Sequence, residues 1–185
     1  MCKLYLASDG SLHTGAIIRI PATNLVAPSL KNHKLIKRIE PKEGYVSFIV
    51  DTGADVTCLS FVDARNLEIE TRYLEQDKGV IGIGGECCTF ILKDIEIGLL
   101  DSITKDEVQF HIEKIAVTDV LDEKTPKISS ILGNDILKRF DIVTDRVKGE
   151  ATLKRIPTVP GKYRIVSRPL RLLPQTPKKT RKQKK

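Results

Sequence analysis

Phe48-Ile49-Val50-Asp51-Thr52-Gly53-Ala54-Asp55-Val56-Thr57-Cys58-Leu59-Ser60 is the stretch on which the reading of this chain turns. An apolar, β-type run delivers an acid directly into a Thr-Gly turn, and a second apolar stretch follows. A carboxylate at the end of a buried strand is costly unless something pairs with it or uses it. Taken alone, Asp-Thr-Gly is ordinary turn chemistry, in which the Asp hydrogen-bonds its own backbone. The residues on either side decide between the two readings.

Upstream, Gly15–Ile20 reads as a strand stopped by Pro21. Residues 21–43 form a long connection from which Leu35, Ile36 and Ile39 could dock a short strand, and Tyr45–Val50 is the strand entering the Asp51 turn. Downstream, Ser60 is placed to cap a short helix over Phe61–Leu67. Residues 68–78 are charged and show no period. In Gly79-Val80-Ile81-Gly82-Ile83-Gly84-Gly85-Glu86, glycines alternate with bulky apolar residues, the composition of a hairpin tip with high backbone freedom. Short strands are expected at 89–92, 95–98, 107–112 and 114–117, with another from Ile128 that ends at Gly133 in the stretch 128–135. One or two helical turns follow at 136–140, and a hairpin of 142–145 with 150–153 closes the domain. Such spacing favours an all-β sandwich or barrel.

With 185 residues the chain is expected to be one domain with an appendage. The domain is assigned to residues 1–156, with its core about 14–156. Residues 157–185 carry ten Lys or Arg, no acid and five of the nine prolines, and read as a flexible basic arm. The net charge of +7 therefore comes from the arm, since residues 1–156 hold 21 basic against 24 acidic residues.

Several chemistries find little support. Cys2, Cys58, Cys87 and Cys88 include no Cys-x-x-Cys pair, and His13, His33 and His111 are scattered, so no metal site or cofactor is expected. The glycine run neither opens a helix nor carries the Gly-Lys-Ser/Thr of a phosphate loop. No cysteine has a His nearby in sequence, which weighs against a thiol nucleophile. No apolar run approaches the ~18 residues needed to span a bilayer, and the N-terminus lacks a signal-peptide pattern. The expectation is a cytoplasmic protein with free thiols.

Three motifs carry a resemblance. Asp51-Thr52-Gly53-Ala54-Asp55 with Val56–Ser60 resembles the active-site segment of retropepsins, the aspartic proteases of retroviruses. Val80-Ile81-Gly82-Ile83-Gly84-Gly85 resembles that family's flap tip, and Ile131-Leu132-Gly133-Asn134-Asp135-Ile136-Leu137 resembles its later strand and short helix. The three stand in the family's order within residues 45–145. The resemblance implies a retropepsin-like closed β-barrel with one or two short helices, and an aspartic endopeptidase acting on a protein or peptide substrate. Such an enzyme needs two carboxylates sharing one proton. This chain has one Asp-Thr-Gly, so the site requires a homodimer in which each copy gives Asp51. Thr52 and Gly53 would support the dyad. Ala54, Asp55, Ile81, Gly82, Ile83 and Gly84 would line or cover the cleft.

Two departures stand out. The family has an Arg after the Gly of the later motif, paired with the acid equivalent to Asp55, and this chain has Asn134. In retroviral enzymes the chain termini interleave to build the dimer sheet, whereas here extra residues precede the Asp motif and a basic arm follows the barrel. The alternative is a non-catalytic dimerisation or peptide-binding module of the same fold whose basic tail contacts an anionic partner.

Overall fold

The computed structural model describes residues 1–7, 10–27, 29, 34, 36, 39–82, 85–101, 106–118, 129–145, 147–148, 150–156 and 163–166, with backbone alone for 78–82, 85–88 and 163–166. Alternating apolar residues build the strands β1 (Cys2–Leu6), β2 (Leu12–Ile20), β3 (Lys42–Val50) and β4 (Cys58–Leu59). The helix α1 (Phe61–Asn66) follows, then β5 (Glu75–Gly82), β6 (Gly85–Leu100), β7 (Glu107–Thr118) and β8 (Ser130–Leu132). The chain continues through α2 (Asn134–Leu137), β9 (Phe140–Asp145), β10 (Glu150–Arg155) and β11 (Tyr163–Val166).

Six strands close a barrel in the ring order β2-β3-β8-β4-β7-β6, with β6 pairing back onto β2. The β3/β8 and β4/β7 pairs are parallel and the other four are antiparallel. A second branch leaves the barrel at the start of β2 and runs β1-β10-β9. The mostly-β barrel with two short helices is the expected fold class. Its interior is filled by aliphatic side chains, among them Ile18, Ile20, Leu59, Leu92, Ile95, Ile97, Leu99, Leu132, Ile136 and Leu153, with Phe48 and Phe110 as the aromatic members. That suits a chain without Trp, and burying each such side chain contributes about 1.5–3 kcal/mol.

The structure corrects several expectations. The strands expected at 89–92 and 95–98 are one strand, β6, and those at 107–112 and 114–117 are one strand, β7. Two consecutive exposed residues on each, Lys93-Asp94 and Glu113-Lys114, lie opposite one another and reverse the inward phase without breaking the ladder. Asp94 accommodates the bend at φ 54°. The charged residues from Glu75 begin β5. Residues 2–6, placed outside the core, pair with both β10 and β2. Within the arm, 163–166 form β11 on β7 rather than a loose segment, and the remainder of 157–185 lies outside the described residues. Leu35 does too, and Ile36 and Ile39 join no strand.

Candidate active site

Asp51 is placed by a parallel ladder. Phe48, Ile49 and Val50 of β3 pair with Ser130, Ile131 and Leu132 of β8, and the Asp51 N–H donates to the Leu132 carbonyl at 3.2 Å. The Thr-Gly turn then leaves the sheet. The Gly53 N–H donates to Asp51 Oδ1 at 2.8 Å, and the Ala54 N–H donates to the Asp51 carbonyl at 3.3 Å. This is the self-contained Asp turn expected of the tripeptide alone. It leaves the carboxylate half-buried, with no cation bound to it among the described residues.

The segment 133–135 braces this turn from below. Asn134 N–H donates to the Ala54 carbonyl at 2.8 Å, and Asp135 N–H to the Asp55 carbonyl at 3.2 Å. The Asn134 side chain donates to the Thr52 carbonyl at 2.7 Å. Gly133 is required here by close approach, because a Cβ would stand 2.5 Å from the Val56 carbonyl carbon. The first and third sequence motifs are therefore one structural unit.

Two residues that the sequence reading did not single out hold that unit together. Thr57 is fully buried. Its hydroxyl donates to Asp135 Oδ1 at 2.6 Å and accepts from the Gly133 N–H at 3.1 Å, while its own N–H donates to Asp135 Oδ2 at 3.1 Å. The Ile136 N–H adds a fourth bond, to Asp135 Oδ1 at 2.9 Å. The signal available in sequence was an Asp at the start of a short helix, which reads as ordinary capping. Farther along, Ser60 caps α1 as expected by accepting from the Asp63 N–H at 3.1 Å. Ser130 Oγ donates to Asp63 Oδ2 at 2.6 Å and accepts from the Ser60 N–H, tying the cap to β8.

Thr52, Gly53 and Asp55 are exposed around Asp51, and Ala54 is partly covered. The Asp55 carboxylate has no side-chain partner among the described residues, and Asn134 is turned away from it to Thr52. Ile81 and Gly82 lie in the β5/β6 hairpin, opposite Glu86 and Gly85, and Ile83 and Gly84 lie outside the described residues. Among the described residues, no three His, Cys, Asp or Glu side chains gather closely enough to hold a metal ion. No described helix is long and apolar enough to cross a membrane.

Comparison with known proteins agrees at the level of family. Residues 29–143 match the family model described as retroviral aspartyl protease. The solved structures similar to this chain include EIAV protease in complex with the inhibitor HBY-793, at 26% identity over 51% of this chain and 75% of that one, TM-score 0.35. A retropepsin-like aspartic protease from Rickettsia conorii is 19% identical over 82% of this chain and 87% of its own, TM-score 0.46. The retroviral protease-like domain of Ddi1 from Leishmania major is 18% identical over 62% and 86%, TM-score 0.37. No curated protein matches the chain. The family match spans the Asp51 turn, the glycine hairpin and the Gly133 brace, more than half of the sequence, and the chain belongs to the retroviral aspartyl protease family.

Proposed function

We propose that this protein is an aspartic endopeptidase whose active site forms between two copies, each contributing Asp51. The observation that carries the reading is the half-buried Asp51 carboxylate, held on a rigid turn with one backbone N–H bond and no counter-cation among the described residues. A barrel that spends the Thr57–Asp135 brace on that turn holds its acid in place without neutralising it. Two such acids facing each other a few Å apart share one proton. The ionised one takes a proton from water as the oxygen attacks the scissile carbonyl, and the protonated one donates a hydrogen bond to that carbonyl oxygen. The tetrahedral intermediate collapses as the amine leaves with a proton, and no covalent enzyme intermediate forms.

Thr52 and Gly53, exposed beside the acid, are suited to meet the partner copy. Gly53 also leaves the backbone open to substrate. Ala54 and Asp55 extend along the cleft, and the hairpin around Ile81, Gly82, Ile83 and Gly84 closes over a peptide held as an added strand. Ala54 has no hydroxyl to donate to an ionised carboxylate, so the activity optimum falls in mild acid. A rate profile still rising below about pH 3 contradicts this. The free thiols of Cys2 and Cys58, both buried, suit a reducing cytoplasm.

The deciding experiment is cleavage of a peptide library between pH 4 and 7 by wild type and Asp51→Asn. Asp51→Asn is expected to lose at least about 10³-fold in kcat/KM, roughly 4 kcal/mol of transition-state stabilisation, and a transition-state-analogue inhibitor of aspartic proteases should abolish wild-type cleavage. If pure, dimeric wild type cleaves nothing across that range, the chain is instead a dimerisation or peptide-binding module. Asn134, in place of the Arg implied by the resemblance, is the residue that favours that second reading.

A further inference from the structure

We propose that His13, with Ser11, Ser47 and Tyr5 around it, is a subsite beside Asp51 that takes the carboxylate of a Glu or Asp side chain in the substrate. The inference rests on the reading of Asp51 as a protease acid, and it adds the chemical class of side chain that the cleft selects. Three observations carry it.

The first is position. Successive strand residues point to opposite faces. Phe48 is fully buried, and the Asp51 N–H still follows the β8 ladder, so Ser47, Ile49 and Asp51 share the outer face of β3. His13 of β2 stands opposite Ile49, and Tyr5 of β1 stands opposite His13. Opposed residues share a face. One row thus runs from Tyr5 through His13 and Ile49 to Ile131 of β8. Two residues on in the same direction stand Ser11 on one strand and Asp51 on the other. Two residues advance a strand by about 6.6 Å, so the row lies within a side chain's reach of the acid.

The second is what surrounds the imidazole. His13 Nε2 meets Ser11 Oγ at 2.8 Å, and Nδ1 meets Ser47 Oγ at 3.3 Å. The Ser47 hydroxyl also meets the Tyr5 hydroxyl, which bonds Tyr45 in turn. The Tyr5 ring stacks on the imidazole with centroids 5.6 Å apart, and it stays 43% exposed. A hydroxyl oxygen accepts from an N–H, so the two serines can hold both N–H groups of an imidazolium. Ser47 then accepts from His13 and from Tyr5, and its own O–H is left to donate to a carboxylate with a cation behind it. No carboxylate of this chain is bonded to His13 among the described residues.

The third is the charge on that face. On β1 it carries Lys3, which is exposed two residues from Tyr5. On β2 and β3 it carries Arg19 and Glu43, which pair with each other at 2.9 Å, and Asp51 at the opposite end. β8 contributes Ile131 to the row. Among the described residues of these strands, the acids facing this way are therefore one held by an arginine and one reserved for the reaction. With the imidazole protonated, the row is cationic and lacks a counter-ion. An acidic side chain of a bound peptide supplies it through a charge-assisted hydrogen bond, whereas a basic side chain meets repulsion from His13 and Lys3.

The test is charge selectivity. A library of C-terminally amidated peptides, with Glu or Gln at each position in turn, is offered to wild type for cleavage and to Asp51→Asn for binding by fluorescence anisotropy. At one position or more, Glu should be favoured over Gln by about tenfold in kcat/KM and in Kd, the size of one charged hydrogen bond. His13→Gln should abolish the preference with the circular dichroism spectrum unchanged, and His13→Lys should restore it. An imidazole gains its charge between roughly pH 5 and 8, so the wild-type preference should fall as pH rises through that range, while that of His13→Lys stays level. The pH readout needs no variant and decides the matter where His13→Gln does not fold. Equal handling of Glu and Gln peptides overturns the subsite and leaves the protease reading standing, as does a preference that His13→Gln retains. Binding to Asp51→Asn that favours Glu and depends on His13, with no cleavage by wild type, upholds the subsite and defeats the protease reading alone. A chain that neither binds nor cleaves any of the peptides overturns both.

Discussion

Glu107 and Asp51 are two acids of one barrel, treated in opposite ways. Glu107, at the start of β7, has no exposed side-chain surface. Arg19 of β2 grips it with Nη1 at 2.5 Å and Nη2 at 2.8 Å, and the Gln109 amide adds a bond at 3.2 Å. Gly98 makes the room, since a Cβ there would lie 1.7 Å from Glu107 Oε1. Burial disfavours the Arg19 charge, but the hydrogen bonds and charges of Glu107 and Glu43 outweigh that and raise its pKa above the ordinary value. Asp51 receives one N–H bond from its own turn and no cation among the described residues. An acid whose valences are all met serves the fold. One held rigidly with valences open is positioned to meet something from outside the chain.

The sharpest way to break this contrast is to neutralise each acid and measure stability. Glu107→Gln leaves the Arg19 fork facing an amide in a dry site, and breaking a buried pair from one side costs about 3–5 kcal/mol. Asp51→Asn should stay within about 0.5 kcal/mol of wild type, because the replacement amide oxygen can still accept from Gly53. Urea unfolding midpoints compare the two directly. Equal losses would mean that Asp51 is a structural acid like Glu107.

Cys2 gives a third case, a group that burial keeps neutral. Burial pushes its thiol from 9.0 up to about 11, with the N-terminal ammonium opposing and Asp101 adding to the rise. Below pH 9 both folded and unfolded chains keep the proton, and the contribution to stability is complete. Between pH 9 and 11 the unfolded chain releases it first, so stability falls, by at most roughly 2.7 kcal/mol. Wild type should therefore lose more stability than Cys2→Ala between pH 8 and 10.5. Parallel profiles would show that the thiol titrates normally.

The contrast between these groups also separates what could be read in the sequence from what could not. The Asp51 turn, the Ser60 cap and the closing hairpin depend on neighbours within a few residues, and local chemistry announces them. The all-β barrel followed from strand-length apolar runs and from motif order. Arg19 and Glu107 stand 88 residues apart, and the Thr57–Asp135 brace spans 78. Each of those residues reads locally as an ordinary polar position, because its partner is supplied only by the closed barrel. Lys93-Asp94 reads as a turn in the sequence for a physical reason. Consecutive charged residues interrupt the alternation whether a strand ends or bends, and only the ladder to Glu113-Lys114 distinguishes the two.

Thr57 tests the contrast at its narrowest point, because it places a fully satisfied side chain directly beneath the unsatisfied one. Thr57→Val keeps the shape and removes the hydroxyl. The Gly133 N–H then loses its acceptor in a buried position, while Asp135 retains bonds from the Thr57 and Ile136 backbones. One stranded buried donor costs about 1–3 kcal/mol, with the lower part of that range expected here since the carboxylate remains bonded. Thr57→Ser, which keeps the hydroxyl, should recover most of the loss, and comparing the two thermal midpoints isolates the bridge from simple packing. If Val and Ser are equally mild, the Asp51 turn is held by the β3/β8 ladder alone. If Val is costly and Ser is not, the rigidity under Asp51 comes from this brace, and the open acid owes its position to a closed network one layer below it.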